Sequence, residues 1–446
     1  MVFGLGKLFG GAKPATTEAS APAHTSTAPG DEERPRQAFV RRDAVFNRDR
    51  RIVGHLYRLQ LADAGLGNGP TRKQRPLDDA LLNSLCTGEA NWGSQLGFIP
   101  LCSASLDHPL LNQLPTENTV LLLVLAPETP DAEGLLPRLQ ALKERGIRIG
   151  LFRQPKHPAF GTLLDVVDFA AVDVAEAQGG NLRDFSIALR SSKDVRHLIE
   201  LFGANIETLD DLALCTRCNF GFFHGPFARP GQDWEAAKGD PHKMHLMHLL
   251  NLVQGDAETA EIALQLKQDP LLTFRILRYL NSPAIGLTRE ITSIDQALVL
   301  LGRQKLVRWL SVLLFSVKEP DFADWLLVES SLGRGRVMEL LGAQRFPSVE
   351  SDHLFLTGVF STLDKLLRIP MTEAVEQLKL PTNIKTALLD RAGPYAPLLA
   401  VAEACEAFDP ARIEQAANAA GLDPAAVNQA LIAATAWASE VTSHWD

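Results

Sequence analysis

The chain has 446 residues, of which 46% are hydrophobic and 22% are charged. That length exceeds one ordinary compact core and predicts two or three domains. Lys and Arg number 44 against 53 for Asp and Glu, and the resulting net charge of −9 argues against a protein whose main task is to coat nucleic acid or acidic lipid. No apolar run reaches the roughly 18 residues of a membrane span, and the start of the chain lacks the apolar region of a signal peptide. We therefore expect a cytoplasmic protein with no transmembrane segment.

Residues 1–37 are predicted to be a disordered leader. From residue 11 onward they are rich in Ala, Thr, Ser and Pro, a composition that buries too little apolar surface to offset the entropy of ordering. The apolar side chains before that point, from Val2 to Phe9, suit either a docking peptide or a frayed terminus.

Residues 38–235 alternate strand-like and helix-like segments. TVLLLVLA (119–126) is a continuous apolar run, which is typical of a strand buried on both faces. A helical pattern follows and ends at Gly146, and further strands are predicted at 147–152 and 166–174. Parallel strand–helix–strand units over about 200 residues are what a compact (β/α)8-type barrel needs.

Residues 240–446 carry helical patterns alone. Asp269 stands before Pro270, which is the pattern of an N-cap followed by proline at the first helical position. Ser293 and Gln296 have the spacing of a capping box, and Gly302 ends the helix that they begin. Helical segments continue to residue 443. The fold class is therefore predicted to be α/β plus all-α.

The chain contains no phosphate-binding loop, no HExxH motif and no GxSxG motif, so common catalytic signatures are missing. Cys215 and Cys218 form a CxxC pair, but a structural zinc site normally needs a second pair. His242, His245 and His248 recur every third residue and fan around the predicted helix without a carboxylate among them. We therefore predict neither a metal site nor a cofactor.

Three segments of the C-terminal half closely resemble HDOD domains, which are helical modules related to HD-domain phosphohydrolases. They are residues 268–302, 354–367 and 374–389. Enzymes of the HD group hold metal ions on adjacent His-Asp pairs, and none of the eleven histidines here is followed by Asp. The resemblance covers about residues 240–410 and implies a helical interaction domain without metal. We assign residues 240–446 to this domain, including a C-terminal helical extension.

The N-terminal half is similar to a divergent EAL domain, the barrel that hydrolyses cyclic di-GMP. The residues that carry this resemblance are 39–61, 142–151, 167–174 and 221–230, in the order and spacing of the family. EAL chemistry uses carboxylates and an Asn at the barrel mouth to hold two metal ions. The resemblance places residues of other types at most of those positions: Leu56, Pro100, Leu123, Phe152, Arg153, Ala171, Ala204, Asn205 and His224.

The positions that remain polar define a candidate ligand site at the barrel mouth. Its residues are Arg153, Asp173, Asn205, Glu207 and His224, of which only Asp173 and Glu207 keep the family's residue type. Arg153, Asn205 and His224 offer hydrogen-bond donors for phosphate groups. The loss of carboxylates and of the metal-binding Asn implies a barrel without the family's catalysis.

These resemblances together predict a non-enzymatic bacterial signalling protein in a cyclic-di-GMP-related pathway. It would act through protein partners and regulate outputs such as motility or biofilm formation, and nucleic acid is not expected as a partner. One alternative is a sensor that binds cyclic di-GMP or another nucleotide without hydrolysing it. Another is a metal-dependent phosphohydrolase that uses histidines such as His242, His245 or His353.

Overall fold

The structure is a computed structural model that describes most of the chain in separate stretches. These are residues 38–60, 71–86, 91–128, 132–177, 179–191, 199–227, 241–255, 257–280, 291–316, 322–347, 350–407 and 409–442. The predicted leader, residues 1–37, and the predicted domain junction at 235–240 lie outside the described residues.

Eight strands close into a barrel in the order β1 to β8. Their bounds are β1 (Val40–Asn47), β2 (Ile52–Leu59), β3 (Leu96–Cys102), β4 (Thr119–Val124), β5 (Arg148–Phe152), β6 (Phe169–Asp173), β7 (Glu200–Ala204) and β8 (Phe222–His224). This confirms the predicted barrel. The strands are not all parallel, however, because β1 runs antiparallel to both β2 and β8.

Helices cover the outside of the barrel and leave an apolar interior. They are α1 (Thr71–Cys86), α2 (Leu136–Glu144), α3 (Phe160–Leu163), α4 (Gly179–Ser191) and α5 (Leu209–Arg217). Inside the barrel, the Phe98 ring on β3 lies 5.8 Å from the Phe169 ring on β6 and 5.0 Å from the Phe202 ring on β7. Contacts across the barrel at these distances mean that side chains fill its interior.

Twelve described helices follow the barrel, and no strand is assigned among the described residues after 240. They are α6 (Pro241–Gln254), α7 (Thr259–Lys267), α8 (Pro270–Leu280), α9 (Ile294–Leu314), α10 (Phe322–Gly342), α11 (Ser351–Phe360), α12 (Leu363–Leu367), α13 (Met371–Glu376), α14 (Thr382–Leu389), α15 (Ala396–Glu406), α16 (Pro410–Ala420) and α17 (Pro424–Thr442). The predicted all-α half is confirmed.

The predicted helix ends have the expected local chemistry. The Asp269 carboxylate accepts hydrogen bonds from the N–H groups of residues 271 and 272, as an N-cap does. The Ser293 hydroxyl accepts from the N–H of Gln296 at 3.3 Å. Gly302 has φ of +74° within α9, a conformation that favours glycine, so two helical segments meet there at an angle.

The helical half covers the outer face of β1 and β2 with polar contacts. Arg42 on β1 and His55 on β2 both contact Oε1 of Glu329 on α10. At Gly333 on the same helix, an added Cβ would lie 2.9 Å from Nη2 of Arg42, so only glycine leaves the guanidinium its full space. Asn428 on α17 pairs with the edge of β1: its Oδ1 accepts from the Val40 N–H at 2.8 Å.

Apolar packing joins the two halves as well. Ile432 on α17 is buried within the barrel's outer core cluster, and Phe322 and Trp325 on α10 pack against the same cluster. The Phe322 ring lies 4.9 Å from the Phe46 ring of β1 in an edge-to-face arrangement. The first strand pair of the barrel is therefore covered by α10 and α17, in the place where a barrel helix would otherwise pack.

Candidate functional site

Polar side chains gather at the end of the barrel where the parallel strands finish. Asp173 is the last residue of β6, Asn205 follows β7, and His224 is the last residue of β8. Because β1 runs in the opposite direction, it is the start of β1 that lies at this end, beside the finish of β2. We call this end the barrel mouth, since active sites of such barrels lie at the carboxyl ends of their strands.

The mouth lies above an apolar interior. The buried side chains of this interior come from all strands except β8. They are Val45, Leu56, Phe98, Val120, Leu122, Val124, Phe152, Phe169, Ala171, Phe202 and Ala204. A floor of this kind excludes water from one side, which strengthens the electrostatic interactions of charged groups at the mouth.

Asp43 on β1 is the centre of a charged cluster that is not among the predicted site residues. Its Oδ2 lies 2.7 Å from Nη2 of Arg58, and its Oδ1 lies 2.8 Å from Nε of Arg41. Nε2 of His224 is 3.5 Å from Oδ2. Burial alone would raise the pKa of Asp43, but the hydrogen bond to His224 and the charges of Arg58 and Arg41 hold it well below its usual range.

His224 is fully buried at the mouth, and its hydrogen bonds indicate its tautomer. Burial lowers the pKa of the imidazole, although Asp43 acts in the opposite direction. The ring is therefore neutral at pH 7. Nδ1 accepts a hydrogen bond from the N–H of Asn205 at 3.3 Å, so the proton is on Nε2, the nitrogen nearest to Asp43.

Asp173 and Asn205 form a second polar pair at the mouth. Nδ2 of Asn205 donates to Oδ2 of Asp173 at 2.8 Å, and Asn205 has φ of +54°, which Asn tolerates better than most residues. Among the described residues, Oδ1 of Asp173 is buried without a hydrogen-bond partner, and so is Nε of Arg58. Buried polar atoms without partners are uncommon, so each of these two atoms is available to a water, an ion or a ligand.

Two of the predicted site residues lie outside this cluster. The Arg153 guanidinium lies 5.5 Å from the ring centre of Phe185 on α4, which places it at the rim. Glu207 is exposed, and the Thr208 hydroxyl beside it caps α5 by accepting from the N–H of Asp211. The structure thus brings together Asp173, Asn205 and His224.

One position taken over from the family pattern needs correction. Leu123 belongs to the cluster outside the barrel, under the helices, while Val124 belongs to the interior cluster. A continuous apolar run has no period-two signal, so the sequence did not reveal which of the two residues faces inward. The inward position near the end of β4 is therefore Val124, which is also apolar.

The mouth does not fit a two-metal centre. Leu56, Val124 and Phe152 are buried apolar side chains at interior positions, and the Asp43 carboxylate is already paired with two arginines. Within the described part of the chain, no group of three or more His, Cys, Asp or Glu side chains is arranged to hold a metal ion. Divalent cations need several oxygen ligands that are not already neutralised by cationic side chains.

Among the described residues, neither of the two other clusters that the sequence singled out forms a group of side chains that could hold a metal ion. Cys215 and Cys218 are both free and buried, and burial raises the pKa of Cys215 to about 12, so its thiol is unreactive. On α6, Nδ1 of His242 lies 3.8 Å from Asp269, while Nε2 of His245 is buried without a partner among the described residues.

Arg41, Asp43 and Arg58 were missed, although the sequence contains a signal for them. Arg41 and Asp43 are two residues apart in β1 and therefore project to the same face. The strand register places Arg41 directly opposite Arg58. Charged residues at alternate positions of the first strand pair indicate that one face of this pair is polar.

Comparison with known protein families finds a match within the helical half of the chain. The model of the HDOD domain family matches residues 243–380. This region is an HDOD domain. In the structure, the HDOD domain extends from α6 to the segment between α13 and α14, so helices α14 to α17 follow it.

Two relatives match most of the chain. One is the cyclic di-GMP phosphodiesterase CdgJ of Vibrio cholerae, which is 28% identical over 348 residues, or 77% of this chain and 78% of the relative. The other is the uncharacterized protein YuxH of Bacillus subtilis, 23% identical over 381 residues, or 83% of this chain and 91% of the relative. Each match is longer than either the barrel or the HDOD domain, so it extends over parts of both halves.

Among solved structures, the chain is similar to the Bacillus subtilis YkuI protein, described as having an EAL domain in complex with cyclic di-GMP and calcium. The identity is 19%, the TM-score is 0.33, and the match covers 42% of this chain and 54% of YkuI, or about half of its length. The recognition of a barrel followed by an HDOD domain is confirmed by the closed barrel and the family match.

The prediction that this chain is not an enzyme is wrong on this comparison. CdgJ, which matches 77% of the chain, is named as a phosphodiesterase. The prediction rested on the substituted metal-binding positions of the barrel and on the missing His-Asp pairs of the helical half, and each of these bears on one route to catalysis alone. No helix among the described residues combines the length and the apolar character that crossing a membrane requires.

Proposed function

We propose that this protein acts in cyclic di-GMP signalling and that the barrel mouth is its nucleotide-binding site. The supporting observation is the cluster of Arg41, Arg58 and His224 around Asp43. Guanidinium groups bind phosphate oxygens in a bidentate way, and they do so most strongly where water is excluded. Hydrolysis of cyclic di-GMP, the reaction in the name of CdgJ, is the activity to assay in this chain.

The mouth offers hydrogen-bond groups for both parts of such a ligand. Nε of Arg58 is a buried donor without a partner among the described residues, and Oδ1 of Asp173 is a corresponding acceptor. A phosphodiester supplies acceptors only, whereas a guanine edge supplies N–H donors. A cyclic dinucleotide carries both groups, so it can satisfy Arg58 and Asp173 together.

Isothermal titration of the purified full chain with cyclic di-GMP tests this proposal, in Mg²⁺ or Mn²⁺ and again in EDTA. We expect saturable heat in the wild type and at least about tenfold weaker binding in Arg58→Gln, because a charge-assisted hydrogen bond is worth about 1.5–3 kcal/mol. Chromatography of the same samples measures conversion to the linear dinucleotide.

Arg148→Gln is the matched control, since Arg148 begins β5 at the opposite end of the same barrel. Binding should be unchanged in this variant. A flat titration in the wild type under all conditions, or equal loss of binding in Arg58→Gln and Arg148→Gln, would remove the mouth as the nucleotide site.

We also propose that the HDOD domain contacts a protein partner through helices α7 to α9. Several large apolar side chains are exposed on these helices: Leu264 at 60%, Leu271 at 48%, Phe274 at 57% and Val299 at 79%. Exposed apolar patches on soluble proteins often mark protein interfaces. A photo-crosslinking residue at position 299 should give a covalent adduct with another protein in cells, and the same group at exposed Glu414 on α16 should give none. Identical adducts from both positions would refute this interface.

A further inference from the structure

A cavity lies at the opposite end of the barrel from the mouth, between the barrel and the helical half. It has a volume of about 430 Å³, and residues from β2, β3, β8, α10 and α17 line it. Sites for small organic ligands typically range from about 300 to 1,000 Å³ and often lie between domains. None of the residues that line this cavity belongs to the barrel mouth.

The polar groups that line the cavity include the exposed guanidinium of Arg51 and several acceptors. Oε1 of Gln95 is buried without a partner among the described residues, while its Nε2 donates to the Ile52 carbonyl at 3.2 Å. The hydroxyls of Thr435 and Thr442 donate to carbonyls within α17, at 2.7 Å and 3.0 Å. Their protons are therefore in use, and their oxygens present lone pairs to a ligand.

Glu329 adds a carboxylate to this set without adding net charge. Arg42 and His55 both contact its Oε1, so the hydrogen bonds that the structure shows for this side chain converge on one oxygen. Oε2 can then accept from a ligand. Because Arg42 already balances the charge of the carboxylate, a cationic ligand would gain little here, and a neutral donor is favoured.

Part of the remaining wall is apolar and aromatic. Val53, Leu96 and Phe222 line the cavity and belong to the edge of the apolar interior of the barrel. Trp325 reaches it from α10 and is partly exposed. Aromatic and aliphatic surfaces of this kind favour a planar ring that can stack against them.

We infer that this cavity binds a neutral, planar heteroaromatic molecule with N–H donors along one edge, the chemical class to which guanine belongs. Its donors face Gln95 and Glu329, and its ring packs against Trp325 and Phe222. Because Gln95 comes from the barrel and Glu329 from α10, the same ligand contacts both halves of the protein.

Equilibrium dialysis of the full chain against radiolabelled guanosine tests this inference, with inosine as the comparison because it lacks the exocyclic amine. We expect guanosine to bind with a Kd below about 1 mM and inosine to bind at least about tenfold more weakly, since a buried acceptor then loses its donor. Gln95→Leu should weaken guanosine binding about tenfold. Thr442→Trp, which fills the rim from a partly exposed position, should abolish it.

The mouth variant Arg58→Gln separates this site from the nucleotide site proposed above. It should leave guanosine binding intact, whereas the cavity variants should leave cyclic di-GMP binding intact. The inference is overturned by an absence of guanosine binding to the wild type. It is also overturned if binding persists unchanged in both cavity variants, or if Arg58→Gln abolishes it.

Discussion

Replacing Glu329 by glutamine keeps the shape of the side chain and removes the charge that holds Arg42 and His55 between the two halves. All three side chains are largely buried, with exposures of 14% for Glu329, 9% for Arg42 and 3% for His55. Loss of the carboxylate charge leaves the buried Arg42 guanidinium without its ion-pair partner, although the charge of Glu406 still acts on it. The cost of removing one partner of a buried ion pair is about 3–5 kcal/mol.

The pKa of Glu329 gives a second value for the contribution of this ion pair to the folding free energy. Burial alone would raise it, but the charges of His55 and Arg42 lower it from the ordinary 4.5 to about 2. At about 1.4 kcal/mol for each tenfold change in the acid dissociation constant, this corresponds to about 3 kcal/mol of folding free energy. Because the pKa is lower in the folded chain, this stabilisation is present above about pH 4.5 and is lost as the pH falls towards about 2.

Urea unfolding of the full chain, followed by tryptophan fluorescence, measures the effect. At pH 7 we expect Glu329→Gln to lower the free energy of unfolding by about 3 kcal/mol, and at about pH 3 by less than half of that amount. Glu414→Gln on the exposed face of α16 is the control and should change it by no more than about 0.5 kcal/mol. A Glu329→Gln curve that overlies the wild type at pH 7, or a difference that is as large at pH 3, would refute the reasoning.

Three further predictions concern the barrel and its closure. Asn428→Ala should lower the free energy of unfolding by about 1–3 kcal/mol, because the Val40 N–H of β1 loses a buried acceptor and the Ala38 carbonyl just before β1 loses a part-buried donor; an unchanged urea midpoint would contradict this. Gly225→Ala should lower the thermal midpoint, because φ is +148° and the new Cβ would lie 2.2 Å from the Ile206 carbonyl oxygen. Gly161→Ala, with open space around the new Cβ, is its control, and equal midpoints in the two variants would count against the steric argument. Because burial lowers the pKa of His224 from 6.5, the wild type should lose stability between about pH 7 and 5.5 as the unfolded chain takes up a proton. His224→Gln should lose less over that range, and parallel pH curves would show that another group is responsible.

The sequence predicted the features that depend on local chemistry. Asp269 and Ser293 cap helices where their spacing indicated, because a cap needs only a side chain and the next turn of backbone. The buried run of β4 was also recognisable, since a strand covered on both faces is apolar throughout. The closed barrel and the helical half followed from the order of such elements.

The features that were missed depend on contacts between distant segments. The reversal of β1 is set by its pairing with β2 and β8, which the pattern within a single strand does not encode. The cluster around Asp43 depends on the register that places Arg41 opposite Arg58. The contact between Arg42 and Glu329 joins residues that are 287 positions apart, so neither residue carries a local sign of its partner.

The pairing of Asn428 with the start of β1 has a consequence for how the protein is made. The ribosome synthesises the first barrel strand early, but the side chain that satisfies its Val40 N–H follows 388 residues later. Until α17 has emerged, the outer face of β1 and β2 lacks its cover, and an uncovered strand surface invites aggregation. We therefore expect nascent chains stalled before residue 424 to expose this strand pair to chaperones. Release of those chaperones should coincide with synthesis of the last helix, even though the barrel is encoded in the first half of the chain.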